Sequence, residues 1–405
     1  MKVAFLFGGL PHYYVLLLNK MNQLQEVEVM VYYPENKNTL SIGKSVFQDK
    51  SLCEFETRAL PEAAGLFGKV KVTGLDEAVR ADRPDILIVC WPYSLSIFAD
   101  FKLLWLLERL NIKLVEKSIP YQIPKLQEAY RYYRNIENIM DESLRPLGKK
   151  GLFTDIKYSF LTLFRKYQFN RADGHVCYIP QAKEILGSYG VPEEKIYIIL
   201  NSPITNNFLK AADDIKGEPD ILPRNDYRIV HLGRLVKWKK VHLLIEAVRL
   251  LRENFETIEL LVIGDGPELN NLKQQAEEAG LSGNVKFTGS LYDPKEIARY
   301  MKCSAVYVLA GTGGLSINDA MCFGKPIICS TCDGTEKFLV RDGQNGYFFK
   351  TDDVNDLAVQ LEKLLGNEEK IKSMGEESLR IVKEEVNEDI VISNYIRAFH
   401  KILEK

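Results

Sequence analysis

Two cations set close behind a glycine, Arg234 and Lys239, are the residues of this sequence best placed to do chemistry. They lie in the run Gly233-Arg234-Leu235-Val236-Lys237-Trp238-Lys239-Lys240, directly after the β-rich stretch Tyr227 to Leu232. Fixed positive charge at a strand end can hold a diphosphate, and it stabilises the charge that gathers on a departing one. Surface charge alone accounts for Lys237 and Lys240, but less readily for an arginine directly behind a strand-end glycine.

Three further segments follow strands in the same half. Ile263-Gly264-Asp265-Gly266-Pro267 is a tight turn into a helix, where Gly264 and Gly266 would let a ligand approach the backbone. Phe287-Thr288-Gly289-Ser290-Leu291 offers Gly289 and Leu291 as a surface against which a nucleobase could pack. A plain strand-to-helix turn explains either segment equally well. The run Gly311-Thr312-Gly313-Gly314-Leu315-Ser316 leads into a helix carrying Asn318-Asp319-Ala320-Met321. Glycine-rich backbone at a helix N-terminus presents unpaired N–H groups that suit phosphate oxygens, which points to Thr312, Gly313, Gly314, Leu315 and Ser316. Asp319, about one turn inside, could accept hydrogen bonds from ribose hydroxyls; stabilisation by the helix dipole is the plainer account of it.

The elements that must position these residues read as strand–helix alternation. In the first half, Val3 to Phe7, a helix from about Tyr13, Val27 to Tyr33 and Ile86 to Cys90 predict βαβ units on a parallel sheet. The polar segment Ala211 to Asn225, with Gly217, Pro219 and Pro223, reads as a linker. After it, Tyr227 to Leu232, Ile258 to Ile263, Val285 to Phe287, Ala305 to Leu309 and Pro326 to Cys329 predict a second doubly wound α/β domain. The fold class is therefore α/β with two Rossmann-like domains, expected at 1–210 and 211–386, and a final helix over about 387–405 that could return to the first. Gly8-Gly9-Leu10-Pro11-His12 joins the first strand to its helix and would face a cleft if the domains oppose each other. It is not G-x-G-x-x-G, so a nicotinamide dinucleotide site is disfavoured, and Glu35 lies further on than a ribose-binding acid usually does. His12 could be a base or cap its loop.

Composition narrows the function. A chain of 405 residues with net charge -2 and no helix-turn-helix or finger pattern is not a dedicated nucleic-acid binder. Seven scattered cysteines read as reduced thiols, and Cys329-x-x-Cys332 lacks a second pair to complete a zinc site. The opening apolar run ends at Gly8-Gly9 with no cleavage site, and the most apolar stretch, Ile86 to Ala99, is too short to span a bilayer. A cytoplasmic chain is expected. Between Lys117 and Arg171 eleven Lys/Arg stand against five Asp/Glu among many aromatics. Such a stretch is either a helical subdomain with solvated charges or a surface that lies on an anionic membrane.

From His231 to Phe349 the ordered set of segments resembles the retaining GT-B glycosyltransferases of the group 1 type, which include many bacterial polysaccharide and lipopolysaccharide enzymes. The resemblance rests on Gly233 to Lys239, Ile263 to Pro267, Phe287-Thr288-Gly289, the glycine-rich loop into Asp319-Ala320-Met321 with Gly324-Lys325-Pro326, and Asp342-Gly343-Gln344-Asn345-Gly346. It implies that Arg234 and Lys239 hold the donor diphosphate as the catalytic cations, that Gly289 to Leu291 lie against the base, and that Gly8 and Gly9 border the donor. Asp319 stands where the second acid of the family's paired-glutamate motif binds ribose. The first acid, which touches the donor sugar, falls on Gly311, leaving that work to backbone amides of Gly313 to Ser316. The histidine that relatives carry after a first-domain strand is missing near Cys90-Trp91-Pro92-Tyr93, so no general base can be named there.

The resemblance implies transfer of a sugar, with retention, from a nucleoside-diphosphate donor, UDP ahead of GDP, to a hydroxyl of a glycan or lipid-linked acceptor. No metal and no cofactor are implied, because the cations stabilise the leaving group. The alternatives are a silent nucleotide-sugar-binding or scaffold protein, motivated by Gly311, and another GT-B reaction such as epimerisation.

Overall fold

The computed structural model describes residues 1–35, 49–65, 70–119, 121, 123–134, 152–313, 315–332 and 334–405. The chain forms two units. One takes the described residues up to Leu200 together with Asp389–Lys405, the other Asn201–Glu388.

In the first unit the strands are β1 (Lys2–Leu6), β2 (Glu28–Pro34), β3 (Glu56–Leu60), a small antiparallel pair β4 (Glu62–Ala64) and β5 (Val70–Val72), then β6 (Ile86–Cys90), β7 (Lys113–Ser118), β8 (Gly174–Cys177) and β9 (Ile196–Ile198). Seven of them make one parallel sheet in the order β3-β2-β1-β6-β7-β8-β9. Val3 sits opposite both Val29 and Ile86. Because helices cover both faces, β1 is apolar throughout: Ala4 and Leu6 join the core with Leu87 and Val89, while Phe5 points the other way to the ring of Tyr395, 6.3 Å off. Tyr395 belongs to the last helix, Glu388–Leu403, which from Asp389 on is part of this unit and is also tied by Lys20 to Asp389 at 2.6 Å.

The second unit holds β10 (Arg228–Leu232), β11 (Glu259–Ile263), β12 (Val285–Gly289), β13 (Val306–Leu309), β14 (Ile327–Ser330) and β15 (Gly346–Phe349), all parallel, in the order β12-β11-β10-β13-β14-β15. The chain winds outward from β10 to β12 and then returns to place β13 on the other side of β10. Connections therefore diverge between β10 and β13, leaving a crevice at their carboxyl ends. In the first unit the same reversal falls between β1 and β6. At the far end of β10 a buried guanidinium braces the sheet: Arg228 Nε donates to Glu259 at 2.5 Å, and Nη1 and Nη2 donate to the carbonyls of Cys303 and Pro223.

One expectation needs correction. The segment 211–225, read as a linker, begins inside a helix, Thr205–Asp214, which belongs to the second unit. Ala211 and Ile215 are buried against Ala298, and Glu218 and Asp220 pair with Arg299 and Lys302. Its polar residues face water while two apolar ones hold it down, and a composition average hides that split.

Candidate active site

The four segments singled out in the second half form one loop cluster at the carboxyl ends of β10 to β13. Leu235 N donates to Asp265 O (2.9 Å) and Glu268 N to Leu235 O (3.1 Å), joining the first segment to the second. Gly264 N donates to Gly289 O (2.9 Å), joining the second to the third, and Thr312 N to Trp238 O (3.0 Å), joining the first to the fourth. Buried backbone amides must find partners, and here they find them between loops.

Glycine is required where these loops touch. A β-carbon on Gly264 would lie 1.9 Å from Gly233 O, and one on Gly266 2.4 Å from Leu235 O. The space at Gly264 and Gly266 thus admits the neighbouring loop. Gly289 and Leu291, two residues on, are half-buried, and nothing lies within 4 Å of where a Gly289 β-carbon would stand. Gly311 packs on the turn Lys237–Lys239, its would-be β-carbon 1.8 Å from Trp238 O. At Gly313 the same point is 1.9 Å from Lys239 Nζ, so that ammonium presses directly on the glycine backbone. Gly314 lies outside the described residues.

The helix Leu315–Cys322 opens behind this loop. Ser316 Oγ closes its entry by donating to Gly313 O at 3.1 Å, and Tyr307, from β13, donates its hydroxyl to Ser316 Oγ at 2.7 Å. Thr312, Leu315 and Ser316 are half-buried and rim the crevice. Asp319 lies one turn in, where burial pushes its carboxyl up to about 7 against the opposing pull of Lys239.

Several buried polar atoms of this cluster have no hydrogen-bond partner among the described residues: Arg234 Nε, Asp319 Oδ1, both amide atoms of Asn318, and His231 Nε2. His231, next to last in β10, stacks at 11° on Tyr307 and donates its Nδ1 proton to Val308 O at 3.0 Å. Burial holds it down to about 4, so it is neutral, with the Nε2 lone pair directed near Gly233 and Lys239. Orphaned buried polar groups are costly in a finished fold, and a polar ligand with both donors and acceptors would satisfy them. His231, Tyr307 and Asn318 were not singled out from sequence, because they sit in an apolar strand or behind the motif residues. No pattern along the chain pointed to the pair, since the register sets Tyr307 opposite Val230, one residue before His231.

In the first unit Gly8 and Gly9 border a cavity of about 770 Å³ at the carboxyl ends of β1, β6, β7 and β8. Its wall includes Trp91, Leu95, Ile119, Leu161 and Phe164, together with Glu116 and Lys117 side by side on β7. The Lys117 ammonium donates to the hydroxyls of Tyr14 (2.8 Å) and Tyr178 and lies 4.5 Å from each ring centroid. Burial lowers it to about 8. On the opposite face of the strand Glu116 Oε1 accepts from Gln168 at 2.5 Å, Oε2 lies 4.0 Å from His175 Nδ1 and accepts no hydrogen bond among the described residues, and burial pushes the carboxyl up to about 7. His12, in the loop's first helix, is lowered by burial alone.

Two open parallel sheets, each with its ligand-ready loops at the point where strand order reverses, define the GT-B fold. Residues 214–380, most of the second unit, match the family model described as glycosyl transferases group 1. Over 253 residues the chain is 29% identical to an uncharacterized glycosyltransferase, MJ1069, of Methanocaldococcus jannaschii, covering 61% of this chain and 63% of that protein. It is also 29% identical to the lipopolysaccharide core biosynthesis glycosyltransferase LpsE of Rhizobium meliloti, over 49% of this chain and 56% of that one. The chain thus spans little more than half the length of these curated relatives. Among solved structures, Anabaena HepE in complex with UDP superimposes with a TM-score of 0.67 at 16% identity, covering 99% of this chain and all of that one, which shows the shared fold.

Proposed function

We propose that this chain transfers a sugar from a nucleoside-diphosphate donor to a hydroxyl of a glycan or lipid-linked acceptor, with retention, in the synthesis of a cell-surface polysaccharide. The observation that carries this reading is the set of unpartnered buried atoms, Arg234 Nε, His231 Nε2 and Asp319 Oδ1, around Lys239 at the reversal point of the second sheet. Arg234 and Lys239 would hold the diphosphate and stabilise its charge as the bond to the sugar breaks, without need of a metal. The N-terminus of Leu315–Cys322 and the Thr312 to Ser316 backbone would meet phosphate or sugar oxygens, and Asp319 the ribose. Gly289 and Leu291 would pack against the base; UDP is the reading, supported by the UDP complex of the HepE structure. The cavity beside Gly8 and Gly9 would receive the acceptor. The basic stretch 117–171 makes the inner face of the plasma membrane the expected place of work.

Calorimetric titration with UDP, GDP and ADP, on the native chain and on Arg234→Ala, tests the donor half of this reading. Selective binding of one diphosphate, lost in the variant, is expected; binding of none would overturn it. A second reading, a nucleotide-sugar-binding scaffold without turnover, is favoured by glycine at 311, and donor binding without transfer to any of a broad acceptor panel would establish it.

A further inference from the structure

Helix Leu152–Arg171 has two different faces. Tyr158, Leu161, Phe164, Arg165 and Gln168 line the cavity of the first unit. Ile156, Phe160, Leu163 and Tyr167, spaced 4, 3 and 4 residues apart, share another face and point to solvent, the first three between 50% and 59% exposed. A helix normally turns its apolar stripe inward. Here a second stripe is left over after the inward one has been used.

That stripe continues onto the neighbouring helix Phe101–Arg109. Phe101 is 68% and Trp105 56% exposed, and the Phe101 ring lies 6.3 Å from that of Tyr167. Single exposed apolar side chains are ordinary, whereas six on two touching helices make a contiguous patch that marks an interaction surface. Its surroundings are basic. The two helices carry six Lys/Arg against two Asp/Glu in a chain whose net charge is -2. Lys157 and Arg165 line the cavity and Arg171 is paired with Glu108, while Lys102 and Lys166 are exposed and Arg109 lies 5.2 Å over the Trp105 ring. Aromatic side chains flanked by cations suit the headgroup region of an anionic bilayer, where rings bury and charges stay wet. No described helix is long and apolar enough to cross a membrane, so the surface would lie on it.

We propose that the joint face of helices Phe101–Arg109 and Leu152–Arg171 docks on an anionic phospholipid bilayer. This deepens the reading of a lipid-linked acceptor and rests on it for its purpose: the docked helix turns its other side to the cavity, so an acceptor held in the bilayer would meet that cavity across one helix.

The test is sedimentation of the full chain with vesicles of phosphatidylcholine alone and of phosphatidylcholine with phosphatidylglycerol. The native chain should sediment with the anionic vesicles and be released by high salt. The triple variant Phe101→Ser, Trp105→Ser, Leu163→Ser should lose about tenfold or more of that partitioning, while keeping its melting temperature and its nucleoside-diphosphate titration. Trp105→Phe should still sediment but lose the blue shift of its tryptophan emission. Failure of the native chain to bind either vesicle, or equal binding by the triple variant, overturns the proposal. So does a change from dimer to monomer in the triple variant without vesicles, which would make the patch an interface between copies. Vesicle binding by a chain that binds no nucleotide would support docking and remove the transferase reading, so the two fail separately.

Discussion

Gly311 lies against Trp238 so closely that a β-carbon on the glycine would fall 1.8 Å from the tryptophan carbonyl oxygen. The place of an expected sugar-binding acid is thus filled by backbone. Gly311→Ala should destabilise the loop cluster by about 2 to 4 kcal/mol, as overpacking and backbone strain do. Thermal denaturation and nucleotide titration together would read this, and Gly311→Glu should do more damage rather than restore a missing function. A stable, more active Gly311→Glu would mean the loop can open.

Arg234 is half-buried on a loop whose backbone is held from both sides, so its side chain can be removed without unfolding. Arg234→Ala should weaken diphosphate binding by about 2 to 4 kcal/mol with an unchanged melting temperature. Arg234→Lys should recover only part of this, since a point charge cannot replace a planar fork. Equal binding by all three chains would remove the arginine from the site.

Asp319 has its carboxyl raised to about 7 by burial. As pH rises through that value it becomes charged and gains acceptor capacity for ribose hydroxyls, so nucleotide affinity should rise from pH 6 to pH 8. The same series on Asp319→Asn should be nearly flat. Affinity that falls with pH in the native chain would show that repulsion from the diphosphate dominates and that Asp319 does not meet the ribose.

Glu116 is also raised to about 7, from an ordinary 4.5. The folded state therefore binds the proton more tightly than the unfolded chain, and native stability is lost as pH climbs from about 4.5 to about 7. Glu116→Gln removes that loss. Its melting temperature relative to the native chain should improve between pH 5 and pH 8, by several degrees. A constant difference across that range would mean the carboxyl is ionised throughout.

Much of the scaffold was legible along the chain. Continuous apolar runs such as Val3 to Phe7 and Leu260 to Ile263 are what strands buried on both faces require, and glycine-bearing loops after them locate the carboxyl edge of a sheet. The segment 211–225 reads as a linker because only Ala211 and Ile215 of it are buried, which leaves its composition polar. His231 was passed over because a histidine in an apolar strand says nothing of what its second nitrogen faces.

The sequence by itself determined the two α/β units and the four loops, since periodicity, glycine placement and strand-end charges are local properties that the backbone reads directly. Only the tertiary structure decided that these loops share hydrogen bonds, that Gly311 is occupied by Trp238, that burial raises Asp319 and Glu116, and that one helix has two apolar faces. Those are facts about packing between residues far apart in the chain, and burial of a polar atom has no signature until its neighbours arrive.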